Sequence, residues 1–334
     1  MSQRHAFRSL ARRAREPINV ALDPLLERGH RRSEAPPVER SGEGEGTEVD
    51  AYWSGHTVRA ERFRTVRQSE RFLRWRFGEY PLFQEFCDLW GSHDDEVVLD
   101  YGCGPGNDVV GLAAHTGARE VIGIDVSPKA LALARDRVAL HGIEPGRVRL
   151  IQATDGDPGI PLETGSVDYL QSMGVIHHTS EPETILAELH RVLRPGGRAC
   201  VMVYNRDSVW FHLYTAYERM IVDDAFPGLD VDDAFTRNTD GPDCPISRAY
   251  RGPDFLALCE QAGFEGRFVG GYLSRREIQS LDESWATALA DERLGEDHRE
   301  FLRGLTRDPV GLPTHGGYHA GIGGVYRLAK PSVA

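Results

Sequence analysis

Short apolar runs alternate with amphipathic stretches along the middle of the chain. The runs with the composition of buried strands are EVVLDYG (96–102), EVIGIDV (120–126), RVRLIQAT (147–154), SVDYLQSMGV (166–175) and RACVMVYN (198–205). Between them, three stretches place apolar residues at helical spacing: DVVGLAAHT, SPKALALARDRVALHG and SEPETILAELHRVL. Because parallel strands need crossover connections, this alternation predicts an α/β fold with a parallel sheet.

The predicted helices carry residues that are typical of helix ends. Ser127 suits the N-cap of the helix that follows it, Pro128 the first helical position, and Gly142 the end. Ser180 and Glu183 have the spacing of a capping box, which predicts Ser180 as the N-cap of the next helix. These signals support the alternation of strands and helices.

Two segments interrupt the alternation after residue 205. Residues 206–245 are rich in aromatic and acidic side chains and are predicted to be partly helical, and residues 277–317 begin with a helical insert. Between and after them, GPDFLALCEQAGF predicts a helix, EGRFVGGYL a strand and YHAGIGGVYRLA (318–329) a last strand. Because both interruptions follow late strands, we expect them to fold together as a lid.

The first ninety residues divide into two parts. Residues 1–50 are predicted to be an Arg-rich extension and linker with little order, since SEAPPVERSGEGEGTEVD (33–50) is too polar to bury a core. A targeting or partner-binding helix in the Arg-rich part is the alternative. Residues 51–90 have a helical, aromatic pattern, so we expect the globular part to begin near Asp50.

Composition narrows the expected partners. The chain has 334 residues, 40% of them apolar, and no run approaches the roughly 18–20 apolar residues of a membrane helix. Its five cysteines are scattered without CxxC spacing, and no signal peptide is recognisable, which predicts a reduced, cytoplasmic protein. The net charge of −12 argues against nucleic acid or an anionic membrane as partner and favours a small-molecule substrate.

The sequence GCGPGN after the first predicted strand raises three possibilities. A P-loop needs GxxxxGK[ST], and no lysine follows here. A dinucleotide fingerprint needs GxGxxG, but Asn107 stands in the third glycine position, which weakens that reading without excluding it. The third possibility is a cradle for another nucleoside.

Acidic residues end three successive predicted strands and favour the third possibility. Asp125 could accept both ribose hydroxyls, Asp155 lies where an adenine amino group would sit, and Asp100 could hold a ligand amine directly or through water. Side chains at Gly102 or Gly104 would occupy the ligand's space. A site lined by acids favours a cationic ligand without phosphate, and S-adenosylmethionine, with its ammonium and sulfonium groups, fits.

With VVLDYGCGPGN, VIGIDVSPKAL and DYLQSMGVIHHTSEPETILAELHRVLRPGGR, the chain resembles the class I S-adenosylmethionine-dependent methyltransferases that modify small molecules. The resemblance is strong over residues 90–205 and implies a Rossmann-like sheet of seven strands, order 3-2-1-4-5-7-6, with the seventh antiparallel. By position, the glycine-loop motif is matched by Asp100, Gly102, Gly104 and Gly106, and the ribose-binding acid by Asp125.

The resemblance also bears on the adenine-binding acid and on the N-terminal segment. An extra residue in ATDGDPGIPL makes Asp157 a competitor of Asp155, which we favour because it lies nearer the strand end. Tyr52 and Trp53 resemble the aromatic segment that closes over the cofactor in many relatives, where a face-on ring would attract the sulfonium. Plain packing of Trp53 in the core is the alternative.

The function implied is methyl transfer to a small-molecule acceptor, a metabolite or natural-product intermediate. The same fold and cofactor would also allow cyclisation of S-adenosylmethionine or transfer of its aminocarboxypropyl group, either of which releases methylthioadenosine. A binding protein without turnover is a third reading, against which the intact Asp100, Asp125 and glycines argue.

Candidate catalytic residues follow the fourth and fifth predicted strands. His177 and His178 lie at the carboxyl edge, where ligands of open α/β sheets bind, and either could be a general base or a loop-structuring residue. Tyr204 leaves the fifth strand at the same edge as a further catalytic candidate. Asn205 and Arg206 follow it as candidates for acceptor contacts.

Later segments add four candidates. Arg248 could pair with an acceptor carboxylate or phosphate, or equally with the acids of residues 206–245, and Tyr250 lies beside it. His315 and Tyr318 lie among glycines before the last strand and could reach the pocket. We predict no metal site, because those glycines prevent the helix that would bring His315 and His319 together.

Overall fold

A computed structural model describes residues 32–41, 46–144 and 146–332. Most of the Arg-rich extension predicted at the N-terminus lies outside these residues. The strands are β1 (Val38–Arg40), β2 (Val97–Tyr101), β3 (Glu120–Asp125), β4 (Val148–Gln152), β5 (Val167–Met173), β6 (Leu193–Asn205), β7 (Ala249–Tyr250), β8 (Glu265–Tyr272), β9 (Thr306–Arg307), β10 (Pro313–His315), β11 (Tyr318–His319) and β12 (Gly323–Ala329).

The helices lie before, between and after these strands. They are α1 (Glu48–Gly55), α2 (Val66–Glu79), α3 (Phe83–Cys87), α4 (Asn107–His115), α5 (Pro128–Leu140), α6 (Pro182–Val192), α7 (Val231–Asp240), α8 (Gly252–Gln261), α9 (Arg275–Ala290) and α10 (Glu296–Arg303). A 3-10 turn spans Ile176–His178, and a π helix spans Trp210–Val222. None of the helices within the described ranges is long and apolar enough to cross a membrane.

The central sheet has the order β1-β4-β3-β2-β5-β6-β12-β8. Five neighbouring strands, β4, β3, β2, β5 and β6, pair in parallel. Strand β12 runs antiparallel to both of its neighbours, β6 and β8. Apart from the edge strand β1 and the two-residue strand β7, which pairs in parallel with β6, this is the predicted order 3-2-1-4-5-7-6 with an antiparallel seventh strand. The α/β prediction is therefore confirmed.

The sheet is buried on both faces, because alternate residues of a strand point to opposite sides. In β2, Val98 packs in one hydrophobic cluster with α4 and α5, while Val97 and Leu99 pack in a second cluster with α6 and α8. All five residues of β2 are buried. The end of β2 that carries Asp100 is therefore packed on both sides.

The predicted N-terminus of α5 is confirmed, whereas the predicted N-terminus of α6 is wrong. The Ser127 hydroxyl accepts from the backbone of Ala130 and Pro128 opens α5, as predicted. The capping box at Ser180 is wrong: α6 begins at Pro182, and the Ser180 hydroxyl donates to Asp155 instead. Because the Ser180 hydroxyl is bound to the carboxylate of Asp155, it does not cap the helix.

The linker prediction for residues 33–50 is wrong in two places. Val38–Arg40 pair in parallel with β4, where Glu39 accepts two hydrogen bonds from the guanidinium of Arg149. Helix α1 begins at Glu48, where Thr47 and Asp50 form a capping box. Cross-strand pairing and capping thus order parts of a segment that is too polar to form a core.

The two segments that interrupt the α/β pattern pack against each other. Leu213 and Tyr217 of the π helix share a hydrophobic cluster with Leu281 of α9 and Phe301 of α10. Glu277 joins them further, since its Oε1 accepts from the backbone N–H of Trp210 at 3.1 Å. The two segments form one unit beside the sheet edge; its action as a lid remains a prediction.

Candidate active site

A cavity of about 670 Å³ lies at the carboxyl edge of the parallel strands. One part of its wall consists of the glycine loop after β2 and the ends of β3 and β4. Further parts come from α1 and α2, and the opposite part comes from the start of the π helix and the end of α7. This volume lies within the range of about 300–1,000 Å³ of small-molecule sites. The topology therefore brings the predicted cofactor loop and the interrupting segments to one cavity.

The three glycines of the loop all have positive φ, which side chains rarely adopt, but they differ in their surroundings. A Cβ on Gly104 would have no atom within 4 Å, so it would project into open space at the cavity wall. A Cβ on Gly102 would lie 2.1 Å from Val175, and one on Gly106 would lie 2.7 Å from Ala134. We predicted that a side chain at Gly102 would occupy the ligand's space, and this is wrong. A side chain there would clash with Val175 instead, so Gly102 is needed for close packing.

Asp125 lies at the end of β3 and orders the loop. Its Oδ2 accepts from the backbone N–H of Gly104 at 2.7 Å, and its Oδ1 accepts from that of Ser127 at 2.8 Å. Burial raises the pKa of Asp125, while both hydrogen bonds lower it. The carboxylate lines the cavity with lone pairs left for two ligand hydroxyls, as the ribose assignment requires.

The structure separates the two candidates for the adenine-binding acid. Asp155 lines the cavity and accepts from the backbone and the hydroxyl of Ser180. Asp157 is exposed and accepts from the backbone of Gly159. Only Asp155 of the two is positioned to contact a ligand in this cavity.

Asp100 and Arg76 form a buried charged group behind the glycine loop. Burial raises the pKa of Asp100 to about 7, against the lowering effects of nearby Gln171 and Arg76. Asp100 Oδ2 and the Nε of Arg76 are buried without a hydrogen-bond partner among the described residues. The Nη atoms of Arg76 bind Asp108, and its side chain lines the cavity. Arg76 can therefore meet a ligand carboxylate directly, whereas Asp100 does not line the cavity and could act on a ligand amine only through water.

Tyr52 and Trp53 lie in α1, above the glycine loop, but only Trp53 lines the cavity. The Trp53 ring lies 4.7 Å from the ring of His178, centroid to centroid. Tyr52 stacks on His56, and its hydroxyl donates to the backbone carbonyl of Asp240. Tyr52 therefore ties α1 to α7, and Trp53 is the aromatic residue that could face a cofactor.

His178 and Tyr204 line the opposite part of the cavity with Asp240 between them. The hydroxyl of Tyr204 donates to Oδ1 of Asp240 at 2.8 Å, and Nε2 of His178 lies 3.6 Å from the same oxygen. Burial lowers the pKa of His178, although Asp240 raises it, and burial raises that of Tyr204. At neutral pH His178 and Tyr204 therefore present an uncharged imidazole and a phenol to the cavity.

His177 and His315 do not line the cavity. His177 is completely buried, its ring 4.0 Å from that of Tyr204, and neither of its ring nitrogens has a hydrogen-bond partner among the described residues. Burial holds its pKa well below the ordinary value, so it packs as a neutral ring. His315 packs on Phe301 outside the cavity. Of the adjacent histidines His177 and His178, only His178 lines the cavity and is positioned to contact a ligand.

The five residues predicted to contact the acceptor also lie outside the cavity wall. Their partners explain why: Asn205 binds the carbonyl of Gly321, Arg206 pairs with Asp232, Arg248 donates to the carbonyl of Thr179, Tyr250 packs on Phe255, and Tyr318 is exposed beside Phe268. We had offered the acids of residues 206–245 as alternative partners of Arg248. It is Arg206, and not Arg248, that pairs with one of them, Asp232.

Several cavity residues were missed by sequence reasoning. They are Arg59, Arg76, Glu79, Tyr80, Trp210, Thr239, Asp240, Tyr272 and Arg276. Most of them come from helices and a strand whose patterns indicate packing, and Arg59 and Tyr80 come from the connections beside α2, so no motif distinguishes them. Asp240 carried one sequence signal, because it stands just before the turn residues Gly241 and Pro242.

Comparisons with known proteins agree with this geometry. A methyltransferase-domain family model matches residues 98–197. The chain is 31% identical over 171 residues to the ubiquinone/menaquinone biosynthesis C-methyltransferase of Syntrophotalea carbinolica, covering 50% of this chain and 68% of that protein. It is 33% identical over 179 residues to an uncharacterized 37.1 kDa protein in a transposon of Streptomyces fradiae, covering 53% of this chain and 46% of that protein.

Solved structures support the fold. A chain from the complex between the Haloferax volcanii Trm112 methyltransferase activator and a protein assigned as a methyltransferase superposes with a TM-score of 0.50. It is 15% identical, and the match covers 86% of this chain and all of that one. The chain spans about half or less of the length of the first curated relatives it matches. Taken with the glycine loop, Asp125 and the sheet order, these likenesses place the chain in the class I S-adenosylmethionine-dependent methyltransferases.

Proposed function

We infer that this protein transfers a methyl group from S-adenosylmethionine to a small molecule bound in the same cavity. The observation that carries this proposal is the continuity of the cavity, which joins the glycine loop to a wall of polar and aromatic side chains. One cavity that holds both a cofactor and an acceptor is what methyl transfer needs, because positioning supplies most of the catalysis.

The residues of the first wall fit the cofactor. Asp125 would accept the ribose hydroxyls, Asp155 the adenine amino group, and Gly104 leaves room for close approach of the ligand. Asp100 and Arg76 have buried polar atoms without partners in the described part of the chain. Arg76 lines the cavity and suits the carboxylate of the methionine end, and Asp100, behind the wall, would hold the ammonium through water. When bound, S-adenosylmethionine supplies a methyl group on a positively charged sulfur.

The residues of the second wall would hold the acceptor. His178, Tyr204 and Asp240 offer hydrogen-bonding groups, and Trp210 offers ring surface. We expect His178 and Tyr204, rather than His177 or His315, to act near the reacting atoms. An acceptor that is protonated at neutral pH would need a group on this wall to take or withdraw its proton.

The family likeness supports the class of acceptor but not its identity. The family model ends at residue 197, before the π helix, α7 and α9, which line the acceptor wall. The relative from Syntrophotalea carbinolica is named for quinone biosynthesis, so a small-molecule acceptor is consistent with that likeness. A quinone precursor is therefore one acceptor to test among other metabolites.

Mass spectrometry of the nucleoside product tests the proposal. The purified protein would be incubated with S-adenosylmethionine, with and without fractionated small-molecule extracts and a quinone-precursor probe. S-adenosylhomocysteine that forms only when an acceptor is present would support methyl transfer. Methylthioadenosine in excess of the protein-free control would instead support cyclisation or aminocarboxypropyl transfer and overturn the proposal.

A pair of variants tests the cofactor wall. Asp155→Ala should weaken S-adenosylmethionine binding by at least the roughly 1–3 kcal/mol of an unsatisfied polar contact, measured by calorimetric titration. Asp157→Ala is the matched control, because Asp157 is exposed and does not line the cavity. Equal losses in the two variants would contradict the assignment of Asp155.

A further inference from the structure

Three side chains with different donor atoms meet at the end of α7. A ring nitrogen of His178, a carboxylate oxygen of Asp240 and the sulfur of Cys244 all lie within 4.8 Å of one another. His178 and Cys244 are buried, and the side chain of Asp240 is only 7% exposed. Because His178 and Asp240 line the cavity, the group lies at the acceptor wall rather than on the outer surface.

Two of these side chains present lone pairs to each other. Nδ1 of His178 lies 2.8 Å from the carbonyl oxygen of Ile246, which can only accept, so Nδ1 carries the hydrogen. Nε2 of the neutral ring then directs a lone pair toward Oδ1 of Asp240, 3.6 Å away. A cation between the two atoms would satisfy both.

Two of the three donors, His178 and Asp240, are also held as metal ligands usually are, whereas the thiol of Cys244 donates to the carbonyl of Ile246 at 3.4 Å and would give up that contact as a thiolate. Ligating histidines commonly donate their other N–H to a carbonyl, and ligating carboxylates are hydrogen-bonded in turn. Here Ile246 accepts from His178, while Ser247 and Tyr204 donate to the two oxygens of Asp240 at 2.7 and 2.8 Å. Oδ1 of Asp240 accepts from Tyr204 with one lone pair and keeps the other for a ligand.

We propose that His178, Asp240 and Cys244 bind one Zn²⁺ ion and leave a fourth position open to the cavity. One nitrogen, one oxygen and one sulfur ligand suit the borderline softness and tetrahedral preference of zinc, and three protein ligands with an open position are typical of catalytic zinc. A thiolate, a carboxylate and a neutral imidazole also cancel the charge of the ion, which suits a buried site.

Zinc at this position would select acceptors with an O–H or S–H group. Coordination lowers the pKa of such a group, which loses its proton to solvent water. The resulting anion would attack the methyl carbon as the carbon–sulfur bond breaks and its electron pair stays on sulfur. This step rests on the proposed function, whereas zinc binding does not, and a zinc-bound His178 could not also act as the general base.

Cobalt substitution tests the site without knowledge of the acceptor. Untagged full-length protein, freed of metal by chelation, would be titrated with Co²⁺ and then with competing Zn²⁺. We expect one equivalent of Co²⁺ to bind with thiolate-to-cobalt absorption in the near ultraviolet, and Zn²⁺ to displace it. Cys244→Ser should abolish that absorption, and Ser247→Ala should weaken binding by the roughly 10–100-fold typical of lost supporting hydrogen bonds.

The control is Asp243→Asn, which removes an exposed charge beside Cys244 and should leave metal binding unchanged. Wild-type protein without the thiolate absorption, or Cys244→Ser protein that retains it, would overturn the proposal, and the first result needs no variant to fold. S-adenosylmethionine binding measured on the same samples separates failure of the zinc site from failure of the proposed function.

Discussion

Asp100 should make cofactor binding depend on pH near neutrality. Burial raises the pKa of this carboxyl to about 7 from its ordinary value of 3.8, so about half of the molecules carry a neutral Asp100 near pH 7. If Asp100 holds the ammonium of S-adenosylmethionine, only the ionised form binds well. Binding below about pH 7 must then release the carboxyl proton.

The expected change is large enough to measure. Between about pH 7.5 and about pH 6, the ionised fraction of Asp100 falls from about three quarters to about one tenth, which lowers affinity about eightfold. The ligand's α-amino group, with a pKa of about 7.7–8.0, becomes more fully protonated over the same interval. That change alone would raise the affinity about 1.5-fold and so offsets part of the eightfold fall. The net expectation is a fall in affinity of about fivefold.

Calorimetric titration in two buffers of different ionisation enthalpy measures both the affinity and the proton released. Asp100→Asn should bind more weakly near pH 7.5 and should lose the fall toward pH 6, since no carboxyl titrates. A wild-type affinity that does not change with pH, or an equal fall in the Asn variant, would refute the role of Asp100. Thr236→Ala, which is remote from the carboxyl, serves as the control variant.

The same pKa shift has a consequence for folding. For an acid whose folded pKa is raised, the stabilising contribution is complete below the unfolded value of 3.8 and is lost as the pH rises through about 7. The wild-type protein without cofactor should therefore lose stability on the order of 4 kcal/mol relative to Asp100→Asn by about pH 8. Urea unfolding of both proteins at several pH values checks this sign.

Three further predictions concern the glycine loop, the packing of the two interrupting segments and the aromatic residue at the cofactor wall. Gly104→Ala should weaken cofactor binding more than it lowers the unfolding temperature, and Gly106→Ala the reverse; both strain a positive φ by about 1–2 kcal/mol, but only the second clashes with packed atoms. Calorimetry and thermal unfolding would contradict this if the order were reversed. Burial raises the pKa of Glu277 from 4.5 to about 8, so its stabilising effect is complete below the first value and is lost as the pH rises to the second. Glu277→Gln should therefore remove a stability loss between about pH 5 and about pH 8 in urea unfolding. Equal losses in both proteins would argue against it. Trp53→Ala should reduce S-adenosylmethionine affinity by about 0.5–2 kcal/mol, with Trp53→Phe close to wild type, and calorimetry that finds no difference between the two variants would assign Trp53 to packing alone.

The cofactor half of the cavity could be predicted because its signals are local. Asp100 and Asp125 end buried strands, and parallel strands bring their carboxyl ends to one edge, so strand pattern alone brought these acids together. Ser180 shows where local reasoning fails. Its spacing to Glu183 is that of a capping box, but Asp155, from another strand end, accepts from both its backbone and its hydroxyl. A partner across the loop outweighed the neighbour three residues away.

The acceptor half could not be predicted because its central residue is defined by contacts between distant segments. Asp240 receives hydrogen bonds from Tyr52 of α1, Tyr204 of β6 and Ser247 of the following loop. These four residues lie in four different segments of the chain, so no spacing within one helix or strand marks them.

This difference in origin has a functional consequence. The cofactor wall depends on the sheet, which the family shares, whereas the acceptor wall, apart from His178, depends on segments that follow residue 197 and are joined by Glu277 and Trp210. Changes in those segments can therefore reshape the acceptor wall while the acids at the strand ends keep their positions. Substitutions at Trp210 or Thr239 should accordingly alter which acceptors react and leave S-adenosylmethionine affinity nearly unchanged, whereas a parallel loss of affinity would mean that the two walls are coupled.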